Sequence, residues 1–191
     1  EMENHPIQNA QWMLSTETGI EFAMTTTKTY FGFIALFAML AVALGERKEG
    51  KMPMNIPKQF AVCSQSILQI LQQKLKMNEF ANIFIDRPNA FIVGSGLDHA
   101  VSLKVALMLK ELTLVQAESY ASGELRYGPV QFIEEGTPVF VLTTNQRTDS
   151  LVRRHAEALR QRKANIFIVS SEETAQQGDA IVLPTVHPLL T

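Results

Sequence analysis

Glu111 sits in the chain's densest run of carboxylates and small residues, Leu109 to Glu135 (LKELTLVQAESYASGELRYGPVQFIEE), where an apolar-periodic helix comes to its end. At a helix C-terminus the macrodipole disfavours negative charge, so a partly buried carboxyl is pushed towards protonation and suits a general base. Spacing alone equally allows an exposed glutamate at a frayed end. Glu118 and Glu124 read as ion-paired or capping. A second group, Thr25, Thr26, Thr27 and Lys28, heads another helix. Three hydroxyls, the unpaired N–H groups of a first turn and an ammonium suit a polyhydroxylated or anionic ligand. An N-cap with spare threonines explains them equally well.

Weaker signals follow. Gly94, Ser95, Gly96 separates a strand from a helix and could hold a phosphate, but His99 stands where a dinucleotide fingerprint has its third glycine, so a tight packing turn or one wall of a small-ligand cleft is the better reading. The polar loop Thr143 to Thr148 reads as an anion holder or as a loop with an N-cap. Ser64, Gln65, Ser66 falls on the polar face of a helix. His5, His99, His155 and His187 show no metal-ligand spacing, and no metal or other cofactor is expected.

These residues need elements to position them. Trp12 to Leu14 is a short strand candidate. The threonines cap a helix that runs to Gly45, a C-terminal stop. Its core, Phe31 to Gly45 (FGFIALFAMLAVALG), is shorter than the roughly 20 apolar residues of a membrane span. It reads as a helix buried on every side, between layers or in a subunit interface. A second helix is expected from Pro57 to about Met77, with helical turns over Asn78 to Ile85. From Arg87 and Pro88 onward the rhythm alternates. The apolar runs Ala90–Val93, Val139–Leu142, Asn165–Ser170 and Ala180–Leu183 predict buried strands, with helices over Leu97–Glu111 and Thr148–Lys163 between them. Short continuous apolar strands separated by amphipathic helices specify an α/β fold with a doubly wound parallel sheet.

The 191 residues, 46% hydrophobic and 19% charged, are enough for a full core, which excludes a disordered tail. Seventeen basic against nineteen acidic residues give a net charge of −2 with no basic block, so nucleic acid is not an expected partner. A single cysteine suits a reducing compartment, and the chain reads as cytoplasmic with no membrane partner.

The blocks "LKVALMLKE", "AESYASGELRYGP" and "IEEGTPV", in that order between Gly94 and Val139, resemble the sugar-isomerase (SIS) family as it occurs in the isomerase half of glucosamine-6-phosphate synthases. Glu21 through Thr26, Thr27 and Lys28 is similar to that family's E-x-x-x-x-S-T-K run. The resemblance implies flavodoxin-like SIS subdomains: residues 1–86 the later part of a first one plus connecting helices, and 87–191 a second one without its C-terminal tail. Both ends of the chain read as cut, which would place the phosphate-cradling loop before Glu1 and a lysine-bearing tail after Thr191. It further implies a hexose phosphate ligand and a homodimer. Glu111 would shuttle the proton between C1 and C2 in aldose–ketose interconversion, and Thr25, Thr26, Thr27, Lys28 and Lys110 would line the sugar site. Tyr127 stands where the family has a ring-opening histidine before Gly-Pro, and Met108 where its helix reads K-L-K-E. A phenol with an ordinary pKa of about 10 replaces imidazole poorly near neutral pH. Three functions compete: a SIS-type enzyme catalysing isomerisation with amination, deamination or deglycation; a non-catalytic sugar-phosphate-binding regulatory module; and a dimerisation scaffold built on the Phe31–Leu44 helix.

Overall fold

The computed structural model describes residues 10–50, 55–72, 74–85 and 87–186; His5 and His187 lie outside them. Two compact units divide the chain, Glu1–Ile56 and Pro57–Thr191.

In the first unit, Trp12 to Leu14 forms no strand and its side chains are exposed. A lone strand has no ladder to join, and its apolar content alone does not make one. Helix α1 spans Lys28–Glu49 and passes straight through Gly45, the expected stop. Glu46, Arg47 and Lys48 are good helix formers that outweigh one glycine, and the two cations complement the C-terminal dipole. The helix ends instead at Gly50, whose positive φ of 88° sends its N–H back to the Glu46 carbonyl. At 22 residues α1 is long and apolar enough to cross a bilayer by length and composition. Phe31, Phe33, Phe37 and Leu44 are at least half exposed, so the expected burial between layers is not met. Among the described residues this unit has no sheet for them to pack on.

The second unit holds a five-stranded, all-parallel sheet in the order β2-β1-β3-β4-β5, the flavodoxin-like arrangement. Its strands are β1 (Asn89–Gly94), β2 (Gln116–Ala121), β3 (Pro138–Thr143), β4 (Asn165–Ser171) and β5 (Ile181–Leu183). Before them come α2 (Ile56–Leu71) and α3 (Lys74–Ile83); α4 (Leu97–Thr113) follows β1 and α5 (Gln146–Arg160) follows β3. The expected single helix from Pro57 to Met77 is thus two, with Gln72 in a turn between them. Alternation along β1 sends Phe91 and Val93 to one face and Ala90 and Ile92 to the other. On the first face they meet Val139, Val141 and Ile168 under Val152, Ala156 and Leu159 of α5. On the second, Ala117 and Ala106 of α4 join them, with Phe84 and Phe140 packed alongside. The Phe84 and Phe140 rings stack at 5.3 Å, and Phe80 meets Phe167 edge-on at 5.4 Å. Both faces are therefore covered.

Gly94 ends β1 so close to α4 that a side chain there would strike the Asp98 backbone, and Gly96 turns the chain with φ +62°. The glycines serve packing and turning, as the plainer sequence reading had it.

Candidate functional site

Helix α4 carries Glu111 three residues before its αL cap, Leu114. The residue is half-buried, and Oε2 is fully covered yet has no hydrogen-bond partner among the described residues. Such an orphan needs an explanation, because stripping a carboxylate oxygen of water without replacing its hydrogen bonds is unfavourable. The neighbouring Lys110 Nζ lies 3.4 Å from Glu118 Oε1 on β2, which Gln116 Nε2 also reaches at 2.8 Å. Glu118 is thus ion-paired, the first of the two sequence readings, ion-paired or capping.

Edge strand β2 leads into a tight turn that carries Glu124, Arg126 and Tyr127. The Ser122 N–H bonds to the Gly94 carbonyl at 2.8 Å, and Leu125, 2% exposed, plugs the turn into the core beside Val152 and Ala156. Tyr127 points outward, 71% exposed, with the Arg126 guanidinium 5.0 Å from its ring centre. Below the turn, His155 of α5 meets the Ser122 backbone. Burial lowers its pKa, and Arg126 and Arg154 lower it further.

In the first unit, Thr25 is buried while Thr26, Thr27 and Lys28 are exposed at the start of α1. The threonine cap expected there is not made by Thr27, the N-cap residue, whose side chain bonds no helix N–H. Glu21 takes that role. One of its oxygens accepts from the Thr29 N–H at 2.9 Å and the other from Thr27 Oγ1 at 3.3 Å. Those bonds, the Thr29 N–H foremost, hold the Glu21 carboxyl below its ordinary pKa. A carboxylate from six residues upstream accepts more donors than a threonine hydroxyl can.

The loop after β3 is likewise claimed internally. Asn145 Oδ1 caps α5 by accepting the Arg147 N–H at 2.9 Å. Thr144 donates from its N–H to Asp98 Oδ2 at 2.9 Å and from its hydroxyl to Asp98 Oδ1 at 2.6 Å. Sequence reasoning passed over Asp98; its one visible signal is an acid in the first turn after Gly96. Arg153 is a further unread element. It bonds Asp149 at 2.7 Å, both Asp179 oxygens at 2.8 Å and the Thr174 carbonyl at 2.7 Å, pinning α5 to the segment between β4 and β5.

The SIS domain profile matches residues 83–183, the span from the end of α3 through β5. The chain belongs to the SIS family. Over 185 residues, 96% of its length, it is 36% identical to the isomerizing glutamine–fructose-6-phosphate aminotransferase of Shouchella clausii. Over 187 residues it is 36% identical to the enzyme of the same name from Lactiplantibacillus plantarum. In each case it spans 31% of the relative's length. The C-terminal domain of glucosamine-fructose-6-phosphate aminotransferase from Francisella tularensis superposes with a TM-score of 0.78 at 20% identity, over 90% of this chain and 50% of that one. The doubly wound α/β fold is therefore the SIS fold.

Proposed function

We propose that this SIS chain acts on a hexose or hexosamine 6-phosphate, moving a proton between C1 and C2 with Glu111 as the base that becomes the acid. The observation that carries the reading is the Glu111 carboxylate: half-buried near the end of α4, with a covered oxygen that no group of the described protein satisfies. It stands at the position the family resemblance assigns to the proton shuttle. In that step an open-chain ketose phosphate loses a C1 proton to the carboxylate as the C1–H electrons form a C1=C2 bond and the C2 oxygen takes a proton. The resulting cis-enediol, or enolamine if C2 bears nitrogen, then releases its O1 proton and accepts the carboxyl proton at C2, giving the aldose. One base reaching both carbons suffices, since they are adjacent.

Thr25, Thr26, Thr27 and Lys28 supply hydroxyls and a cation for the sugar and its phosphate, and Lys110 adds a cation beside Glu111. Tyr127 takes the position at which ring opening is assisted. A second copy covers the apolar side chains of α1, making the protein a cytoplasmic homodimer. The test is Glu111→Gln in the intact protein. Loss of a positioned acid–base group lowers turnover of fructose 6-phosphate or glucosamine 6-phosphate by about 10²- to 10⁴-fold, while sugar-phosphate binding persists. Unchanged turnover rejects the reading.

Tyr127 favours a second reading, a sugar-phosphate-binding regulatory module. The exposed phenol rests against Arg126, where the family resemblance expects an imidazole. A protein that binds the sugar phosphate yet turns none over, before or after Glu111→Gln, decides for the module.

A further inference from the structure

The sheet order places one topological switch point in the second unit, between β1 and β3, where neighbouring connections leave in opposite directions and doubly wound folds bind ligands beyond the strands' carboxyl ends. That crevice is lined by Asp98, Thr144, Asn145, Ser171, Glu173 and Thr185, among others. We infer that the Asp98 carboxylate is an internal stand-in for an oxyanion: it fills this crevice, closes it to phosphates, and leaves a latent oxyanion site that its removal opens.

Three features of the crevice support this. Asp98 is only 5% exposed, and each of its oxygens is engaged, one by the Thr144 N–H and the other by the Thr144 hydroxyl. A backbone N–H and a hydroxyl beside the first turn of a 17-residue helix are the donors that would otherwise hold phosphate oxygens. The space left over is about 20 Å³, room for a water molecule and not for a phosphoryl group. Finally, the charge is wrong for an anion: Asp98 and Glu173 are both acidic, and no lysine or arginine lines the crevice among the described residues. A phosphate entering here would meet two carboxylates at short range.

The consequence is selectivity. A sugar phosphate bound by this protein cannot place its phosphate at this switch point, and the ligand is directed to donors elsewhere. The inference concerns this crevice alone and survives if the Glu111 reading fails.

Inorganic phosphate is titrated into the intact protein, and the amide signals of Thr144 and Asn145 report binding at the crevice. Wild type should show no saturable shift at these two amides. Asp98→Ser removes the carboxylate and should produce a saturable shift with affinity at least tenfold above any wild-type response. Asp98→Ala also empties the crevice and guards against a serine variant that fails to fold; its affinity should rise at least threefold. A saturable wild-type shift at both amides overturns the inference, as does a folded variant that binds phosphate no better than wild type.

Discussion

Helix α4 carries a carboxylate near each end, and the two are opposites. Asp98 is buried with each oxygen taken by Thr144, whereas Glu111 is half-buried with a covered oxygen that has no partner. Thirteen residues of helix hold them about 20 Å apart. One carboxylate is spent on structure and the other is left available to chemistry. Glu21, Asp149 and Asp179 side with Asp98, each satisfied within the chain. Residue type therefore says little about role in this molecule, and hydrogen-bond satisfaction says much.

The comparison predicts that perturbing the available carboxylate is read in turnover and perturbing the satisfied ones in stability. The largest effect is expected from Glu111→Asp. Drawing the carboxylate back by one methylene misplaces the base by more than 1 Å and should cost about 10²-fold in turnover, with melting temperature unchanged within error; a large loss of stability instead would move Glu111 into the structural class. Next comes Arg153→Ala, which leaves the largely buried Asp179 and Asp149 without their shared cation. It should cost about 3 kcal/mol in denaturant unfolding. A loss below about 1 kcal/mol would show the network to be decorative. Asp98→Asn should cost about 2 kcal/mol, because it weakens two hydrogen bonds of a buried carboxylate, and should leave turnover intact.

A smaller effect appears in the pH dependence of stability. Burial raises the Asp179 pKa, but the Arg153 bonds and the Gln176 N–H outweigh it and hold the carboxyl below its ordinary value. A carboxyl depressed in the folded state stabilises the fold above its unfolded pKa, and that stability is lost as pH falls through the folded pKa. His155, lowered by burial and by the two arginines, acts earlier. The unfolded chain takes up its proton first, so stability declines as pH drops below the ordinary histidine range. Asp179→Asn should flatten the acid limb and His155→Asn the region above it. The smallest effect is expected at Lys110. Its pair with Glu118 is about 40% exposed on both sides, so Lys110→Met should change stability by less than about 1 kcal/mol.

Much of the fold was legible because buried parallel strands are continuous apolar runs. β1, β3, β4 and β5 all carried that signature. β2 did not. At the sheet edge only Ala117 is fully buried, so QAESYA is mostly polar, and the stretch reads as chemistry rather than as a strand. α1 was legible as a helix but not in its surroundings, since an apolar run does not say what covers it. For the site, Glu111 could be singled out from its helix end and the family resemblance. Asp98, Glu21 and Arg153 could not, because each depends on a partner 46, 8 or 26 residues away in sequence that only folding brings near.

The central claim, that Glu111 carries the proton between adjacent carbons, is tested most directly by solvent deuterium. Wild type incubated with fructose 6-phosphate in D₂O should exchange a C1 proton for deuterium, and Glu111→Gln should bind the sugar and exchange nothing. Exchange by the glutamine variant at the wild-type rate would contradict the account.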